Sequence, residues 1–246
     1  MSNIEKYNNE LKNIILENNI DINKIQIANV IGNFQELMHL YNAATKEIMT
    51  KFEILDNEFK VKYDHNPIHH MEHRIKSPES IFEKMRRKKI PMNIESLRKN
   101  ITDIAGIRVI CNYIDDIYIL STLLLNQDDV VLIEKKDYNA NPKKNGYRSL
   151  HLIVQIPVFL TETVEYVPVE IQIRTIAMDL WASLEHELYY KSNIKDNIDI
   201  YDELYECSQA LKEIDTRMQN LYKKTMADYD GDYLKHKHSS RQRQSQ

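Results

Sequence analysis

Two acidic residues have neighbours of a kind that suggests chemistry. Asp103 precedes Arg108 by five positions, in an isoleucine-flanked segment where an aspartate could also simply cap a turn. Glu170 lies in a run of alternating apolar and polar residues from Val169 to Arg174. Paired in space, the two carboxylates would supply the oxygen ligands that Mg²⁺ uses beside nucleotide phosphates. The sequence therefore makes Asp103 and Glu170 candidate metal ligands.

Positive charge is concentrated in two short segments, although the whole chain has a net charge of −4. The first segment contains Arg74, Lys76, Lys84, Arg86, Arg87, Lys88 and Lys89 against two glutamates. The second contains Lys135, Lys136, Lys143, Lys144 and Arg148 against one aspartate. Each segment alone could be a solvated surface. Together they indicate ligands that carry phosphate groups.

Polar residues recur at alternate positions of the predicted strands. Period two puts Glu170, Gln172 and Arg174 on one face of the last predicted strand. His151 lies on the polar side of the strand before it, and Tyr147 shares its parity. If these polar faces belong to one sheet, a carboxylate, a glutamine, a histidine and arginines meet above it. The alternative is a sheet side that merely faces solvent.

The composition argues against several other kinds of site. Four glycines in 246 residues are too few for a Rossmann or P-loop site, each of which needs several in one segment. Cys111 and Cys207 lack metal-binding spacing and are predicted to be free thiols in a reducing cytoplasm. His69, His70 and His73 have no suitable partner for a metal site. No apolar run approaches the ~18 residues of a membrane span, so we expect no membrane partner and a cytoplasmic protein.

The elements that must position these residues change period along the chain. Apolar residues spaced by three and four predict helices over the first sixty residues. Ser77-Pro78-Glu79 has the cap, proline and early acid of another helix start. Branched and aromatic residues predict strands at 107–113, 129–133, 149–158 and 164–174, with a helix at 115–126 after the first. This order indicates an α+β fold with a mixed β-sheet.

We predict a single domain over residues 1–234. Its parts are N-terminal helices at 1–65, a catalytic α+β core at 66–191 and C-terminal helices at 192–234. Residues 235–246 are polar and low in complexity, which predicts a disordered tail.

A regular apolar seam marks the C-terminal region. It consists of Leu204, Cys207, Leu211, Ile214, Met218 and Leu221, and its alternating spacings of three and four are typical of a heptad. The seam packs either on the N-terminal helices of its own chain or on another subunit.

Four segments occur in an order that is typical of one family. They are RIKSPESI at 74–81, DIAGIR at 103–108, NGYRSLH at 145–151 and VEIQIRT at 169–175. With them, roughly residues 1–225 resemble the synthetase domain of RelA/SpoT-type enzymes, most closely the stand-alone small alarmone synthetases. The resemblance implies a nucleotidyltransferase-like synthetase core flanked by N-terminal and C-terminal helices. It implies pyrophosphate transfer from ATP to the 3′-hydroxyl of GDP or GTP, giving ppGpp or pppGpp, with no hydrolysis of the product.

The same resemblance implies roles for residues on the ATP side. Arg74 and Arg108 match the pair whose guanidinium planes sandwich adenine. Asp103 and Glu170 match the Mg²⁺ ligands, and Glu170 also matches the residue that activates the acceptor hydroxyl. The residues that match the phosphate-binding set are Lys76, Ser80, Lys84 and Arg87.

On the acceptor side, Tyr147 matches the residue that stacks on guanine. The further acceptor contacts that the resemblance implies are Lys143, His151 and Gln172. Two positions depart from the family pattern. Asp179 stands where some relatives have an asparagine at the guanine edge, and its carboxylate can still accept from guanine N1 and N2. Lys136 stands where relatives often have arginine, so a bidentate phosphate contact is lost.

The resemblance also implies a homotetramer, whose central cleft could bind a regulatory guanine nucleotide. The residues leave GDP, GTP and GMP open as acceptors. One competing hypothesis is a single-stranded RNA-binding module that stacks bases on Tyr113, Tyr138 and Tyr147. Weak binding of single-stranded RNA could also accompany the synthetase activity. Another is a catalytically silent nucleotide sensor. The two carboxylates argue against the first hypothesis, because they would repel a nucleic acid backbone.

Overall fold

Five strands form one mixed sheet in this computed structural model, which describes residues 24–191 and 198–242. The elements are α1 (Lys24–Lys62), β1 (Ile68–Ile75), α2 (Pro78–Arg87), α3 (Ile94–Asn100), β2 (Ala105–Cys111), α4 (Ile114–Leu125), β3 (Val131–Asp137), β4 (Leu150–Phe159), β5 (Val164–Thr175), α5 (Ile176–Lys191) and α6 (Ile198–Gln242). The sheet order is β1-β2-β5-β4-β3. Only β2 and β5 pair in parallel, and the other neighbours are antiparallel. The predicted α+β class with a mixed sheet is confirmed.

The helical stripe predicted near the N-terminus covers the apolar side chains of the sheet. Tyr41, Ala44, Ile48 and Phe52 of α1 are almost completely buried, one or two turns apart. They join the alternate apolar residues of β2, β4 and β5 in one core. Because strand side chains alternate between faces, this packing leaves the polar residues of the same strands on the opposite face. The part of the prediction that concerns residues 1–23 lies outside the described residues.

The helix predicted at Ser77-Pro78-Glu79 is α2. The Ser77 side chain accepts a hydrogen bond from the Ser80 backbone N–H at 3.3 Å, and Pro78 occupies the first turn. Ile81 and Met85 bury one side of the helix in the core. Residues 80, 84 and 87 follow a different helical stripe, so their polar side chains remain available to a ligand.

Two elements were not predicted from the sequence, namely β1 and α3. In β1, only Ile68 is fully buried; Met71 and Ile75 pack partly against the core, and the remaining side chains of this edge strand are polar and exposed. It therefore lacks the apolar alternation that signals a strand. The seven-residue α3 is too short to show a helical period, although Asn93 caps it by accepting from the Ser96 N–H at 2.8 Å.

The C-terminal helix α6 uses a different face for packing from the one that the apolar seam suggested. Its buried residues are Ser208, Asp215 and Gln219, and it packs on α4 and α5. Of the predicted seam, Ile214 and Met218 are each about half exposed. This exposure argues against the interpretation that the seam packs on α1, the N-terminal helix that the structure describes. Polar anchors hold α6 to the domain, which leaves the apolar stripe on its outer side.

The end of the described chain also differs from expectation. Helix α6 continues to Gln242, so residues 235–242 are helical where the sequence predicted a disordered tail, and residues 243–246 lie outside the described residues. Lys, Arg and Gln have good helix propensity, and extending an existing helix needs no new nucleus. The predicted division at 65/66 falls between α1 and β1, and the division at 191/192 coincides with the end of α5. Within the described residues, no helix is both long and apolar enough to cross a bilayer.

The packing of α1 yields a stability prediction. Phe52→Ala should lower the free energy of unfolding by about 3–5 kcal/mol, because it opens a cavity in the core. Ile54→Ala, two residues away and 60% exposed, should change it by about 0.5 kcal/mol or less. Urea unfolding followed by circular dichroism measures both, and equal losses would contradict the assigned face of α1.

Candidate active site

The polar positions of the five strands line up in one row across the sheet. The paired residues of this row are Glu72, Arg108, Gln172, His151 and Lys136, from β1 to β3. A second row places Glu170 opposite Gly106, which in turn lies opposite Arg74. Residues that pair directly across a sheet share a face. The prediction that the polar strand faces meet above one sheet is therefore confirmed.

Asp103 is held by two lysines from different elements. The Nζ atoms of Lys76 and Lys84 each lie 2.5 Å from Asp103 Oδ2. Burial raises the pKa of Asp103, but the two lysines lower it by more, so the net pKa is below the usual value. Its other oxygen, Oδ1, is buried and has no hydrogen-bond partner among the described residues. The carboxylate thus retains one oxygen that can contact a ligand.

Glu170 lies beside neutral and basic partners on the same face. The Gln172 Nε2 group donates to Glu170 Oε2 at 3.1 Å, and His151 Nδ1 lies 3.6 Å from Oε1. Burial raises the pKa of Glu170, and the contacts with His151 and Gln172 outweigh this effect, so the net pKa is lowered. The charge of Asp103 acts in the opposite direction and raises this pKa. The two carboxylates are therefore close enough to interact electrostatically.

This arrangement fits a Mg²⁺ ion that is held jointly by protein and nucleotide. The described ranges contain no group of three His, Cys, Asp or Glu residues that could form a metal site from protein alone. Mg²⁺ commonly takes only one or two carboxylates and completes its shell with water and substrate phosphates. Asp103, through its unpartnered Oδ1, and Glu170 are the two carboxylates that would supply such ligands here.

A cavity of about 440 Å³ lies beside α2 and is rich in basic side chains. Its lining residues are Lys76, Ser80, Glu83, Lys84, Arg86 and Arg87. This set includes all four residues that the sequence assigned to phosphate binding. Because Lys76 and Lys84 also contact Asp103, the cavity adjoins the Asp103 carboxylate.

A narrow cleft lies over the paired strands β1, β2 and β5. Arg74 and Arg108 both line it, together with Gly106 and Glu170. Any side chain larger than glycine's at position 106 would contact the Arg74 side chain, since a Cβ there would lie 3.6 Å from Arg74 Cγ. The cleft therefore has the two guanidinium groups needed to stack on a planar ring.

Tyr147 lies at the centre of a group of polar side chains, here called the Tyr147 cluster, whose other members are Lys143, His151, Arg174 and Asp179. The Arg174 Nη2 group donates to Tyr147 Oη at 2.7 Å, and Tyr147 Oη lies 2.7 Å from His151 Nε2. Lys143 Nζ lies 4.7 Å from the centre of the Tyr147 ring. Arg174 Nη1 also donates to Asp179 Oδ1 at 3.1 Å. These residues come from a loop, two strands and the first turn of α5.

Arg174 is a functional candidate that the sequence-based site set omitted. It is 5% exposed and bonds to Tyr147, Gln172 and Asp179, so it connects three of the predicted acceptor residues. The sequence feature that could have identified Arg174 is its alternation with Glu170 and Gln172 on the polar face of β5. A buried arginine whose partners come from separate elements fixes their relative positions.

Other basic residues have different environments from those expected. Lys136 lies in the polar row, but its side chain is half exposed and donates to Glu134 Oε2 at 2.8 Å. Arg148, which the sequence placed in a ligand-binding basic segment, is buried and pairs with Asp215 of α6. Arg148 therefore differs from the exposed lysines with which the sequence grouped it. Asp179 Oδ1 also lies 3.6 Å from Arg108 Nη1, so two arginines compensate its charge.

Comparison with known proteins agrees with this geometry. Residues 73–195 match the family described as the region found in RelA/SpoT proteins. The chain is 44% identical over 194 residues to the GTP pyrophosphokinase YwaC of Bacillus subtilis. This match covers 79% of this chain and 92% of that protein. It is 38% identical to the B. subtilis GTP pyrophosphokinase YjbM, over 74% of this chain and 84% of that protein.

Solved structures give the same result. The crystal structure of B. subtilis small alarmone synthetase 2 is similar with a TM-score of 0.71 and 44% identity, and the match covers 78% of this chain and 99% of that one. The structure of B. subtilis small alarmone synthetase 1 bound to its product pppGpp is similar with a TM-score of 0.72 and 34% identity, covering 78% and 97%.

Proposed function

The chain belongs to the RelA/SpoT family as a small alarmone synthetase, and we propose how its residues divide the reaction between them. The enzyme is a GTP pyrophosphokinase, which transfers pyrophosphate from ATP to the 3′-hydroxyl of GDP or GTP. The observation that carries the division is the position of Asp103 and Glu170, between the basic cavity of α2 and the Tyr147 cluster. The comparisons do not favour an RNA-binding module or a silent sensor.

ATP binds on the side of α2 and β1 in this proposal. Adenine stacks between Arg74 and Arg108 in the cleft that they line. The phosphates occupy the cavity beside α2, where they contact Lys76, Ser80, Lys84 and Arg87. When the phosphates bind, they compete with Asp103 for the two lysine ammonium groups, which frees this carboxylate for the metal.

Asp103 and Glu170 would hold Mg²⁺, which supplies charge neutralisation and a fixed orientation to the ATP phosphates when bound. The acceptor oxygen forms a bond to the β-phosphorus of ATP, the bond to the α-phosphate oxygen breaks, and AMP leaves. The proton of the 3′-hydroxyl passes to the Glu170 carboxylate. This carboxylate contacts Gln172 and His151, two of the proposed acceptor residues. The lysines and arginines stabilise the charge that develops on the transferred group.

The acceptor binds against Tyr147, which offers its ring to guanine. Asp179 lies close by and can accept from the N1 and N2 donors that distinguish guanine from adenine. The residues that contact the acceptor ribose and phosphates are Lys136, Lys143, His151 and Gln172.

The free thiols of Cys111 and Cys207 support a reducing, cytoplasmic setting.

The proposed assembly is a homotetramer. Ile214, Met218 and Leu221 form an outward stripe on α6, each 50–57% exposed, roughly a third of a turn from the face that packs on the domain. A stripe of this kind is stabilised by burial against another copy. A cleft between subunits would then provide the site for a regulatory guanine nucleotide.

The metal assignment predicts the effect of two isosteric changes. Asp103→Asn and Glu170→Gln should each lower ppGpp synthesis by at least about 10²-fold, because each removes an anionic ligand. Glu165→Gln, on the same strand as Glu170 but paired with Arg98, should keep near-normal synthesis. Product separation gives the rates, and circular dichroism checks the fold. Normal turnover by a folded Asp103 or Glu170 variant would disprove the assignment.

The acceptor assignment predicts a selective loss. Tyr147→Ala should raise the KM for GDP about 5–150-fold, the range expected from stacking on one base, and leave the KM for ATP unchanged. Tyr166→Ala, an exposed tyrosine on β5, is the control and should change neither KM. Equal effects on both substrates in the Tyr147 variant, or no effect, would show that Tyr147 is only a packing residue.

The assembly proposal predicts the outcome of charge substitution on α6. The wild type should scatter light as a tetramer at micromolar concentration, and Ile214→Asp with Met218→Lys should dissociate it, because buried charges are costly. Thr216→Asp with Asn220→Lys puts the same charges on another exposed side of α6 and should keep the tetramer. A monomeric wild type would refute the proposal, as would a seam variant with the parent's mass.

A further inference from the structure

A buried ion pair joins the C-terminal helix to the loop that carries Tyr147. Arg148 and Asp215 are each only 7% exposed, and Arg148 Nη2 lies 3.8 Å from Asp215 Oδ2. The same oxygen accepts a hydrogen bond from Thr175 Oγ1 at 2.7 Å, and Thr175 is fully buried. Burying two charges is costly unless they are paired and hydrogen-bonded. One carboxylate of α6 therefore contacts both a loop residue and the last residue of β5.

The first connection fixes the position of the Tyr147 loop. Arg148 follows Tyr147 directly, so a salt bridge to Arg148 restrains the adjacent backbone. Gly146 precedes Tyr147, has a φ of 89°, and lies so close to α6 that a Cβ atom would be 2.0 Å from Ser208 Oγ. Contacts with α6 on both sides of Tyr147 therefore determine where its ring lies.

The second connection fixes the opposite wall of the acceptor site. Thr175 caps α5, since its Oγ1 accepts from the Met178 backbone N–H at 3.2 Å while donating to Asp215. Arg174 is the preceding residue, and Asp179 lies in the first turn of α5. Arg174 donates one hydrogen bond to Asp179 Oδ1 and another to Tyr147 Oη. The position of Thr175 thus affects the residues that face the Tyr147 ring.

We propose that Asp215 is a positioning residue for the acceptor nucleotide, which holds the Tyr147 loop and the junction of β5 with α5 in the arrangement that binds guanine. This inference rests on the proposed acceptor role of Tyr147. The contacts that the structure describes for Asp215 are with Arg148 and Thr175, both next to acceptor residues.

The proposed ATP side is built from α2, β1 and Arg108 of β2. Arg108 Nη1 approaches Asp179 Oδ1 at 3.6 Å, but it also pairs more closely with Glu72 Oε2 of β1, at 3.2 Å, and this contact does not depend on Asp215. Loss of Asp215 therefore weakens acceptor binding and not ATP binding.

The test measures both substrates in the full-length chain. Asp215→Asn keeps the size of the side chain but removes the charge that pairs with Arg148. We expect the KM for GDP to rise about tenfold, as for the loss of one buried charged hydrogen bond, with the KM for ATP unchanged. A mutation that only destabilises the fold lowers the active fraction, and hence kcat, without separating the two KM values.

The matched control is Asp116→Asn, which changes another buried aspartate where α6 packs on α4. Asp116 is 2% exposed and lies 2.9 Å from His65 Nε2, and the His65 ring packs on Tyr222 of α6. This variant should lower the melting temperature and leave both KM values unchanged. If it raises the KM for GDP as much as Asp215→Asn does, the effect is general loosening of α6 and the inference is wrong.

Thr175→Val provides a second variant if Asp215→Asn does not fold. It keeps the side-chain volume, removes the hydroxyl that donates to Asp215, and should raise the KM for GDP selectively. An unchanged KM for GDP in a folded variant, an equal rise in both KM values, or failure of Thr175→Val to fold would each overturn the inference.

Tyr147→Ala separates the role of Asp215 from the proposed acceptor role of Tyr147. If that variant leaves the KM for GDP unchanged, the acceptor assignment itself fails, whereas a rise there without one in Asp215→Asn rejects only the role of Asp215.

Discussion

A buried carboxylate between two lysines is the interaction on which the rest of the site depends. Asp103 Oδ2 binds Lys76 and Lys84, which belong to the strand end and the helix that line the phosphate cavity. Two cations beside one carboxylate leave net positive charge for a polyanion, while Oδ1 stays free for a metal. In the proposed reaction the site is stable without ATP and still attracts it, because the same lysines would pair with the carboxylate first and with the phosphates afterwards.

The register of the mixed sheet brings together the residues that we propose for the two substrates. The parallel pairing of β2 with β5 puts Gly106 beside Glu170 and Arg108 beside Gln172, so the strand proposed to bind ATP and the strand proposed to bind the acceptor are neighbours. A shift of one residue would turn every polar side chain into the core. The apolar face beneath, packed on α1, makes such a shift costly. The stability of the core and the geometry of catalysis thus depend on the same alternation.

Features that depend on local pattern could be predicted from the sequence, whereas features that depend on packing could not. The alternation of Glu170, Gln172 and Arg174 predicted a shared polar face, and Ser77 with Pro78 predicted the start of α2. Strand β1 was missed, because an edge strand beside a ligand site needs few apolar residues. The burial of Arg148 and the packing face of α6 could not be predicted for a related reason, since a buried salt bridge has the same polar residue types in the sequence as a solvated surface. Only the structure shows which polar residues are internal anchors.

If Asp103 and Glu170 share one metal ion between the two nucleotides, crystals grown with Mn²⁺, a nonhydrolysable ATP analogue and GDP should reveal that ion in data collected at the manganese absorption edge. This shared metal site predicts an anomalous peak within coordination distance of Asp103 Oδ1 and of a Glu170 oxygen, with Lys76 and Lys84 turned towards the phosphates. A peak that contacts neither carboxylate, or lysines that stay on Asp103 while both nucleotides are bound, would contradict it.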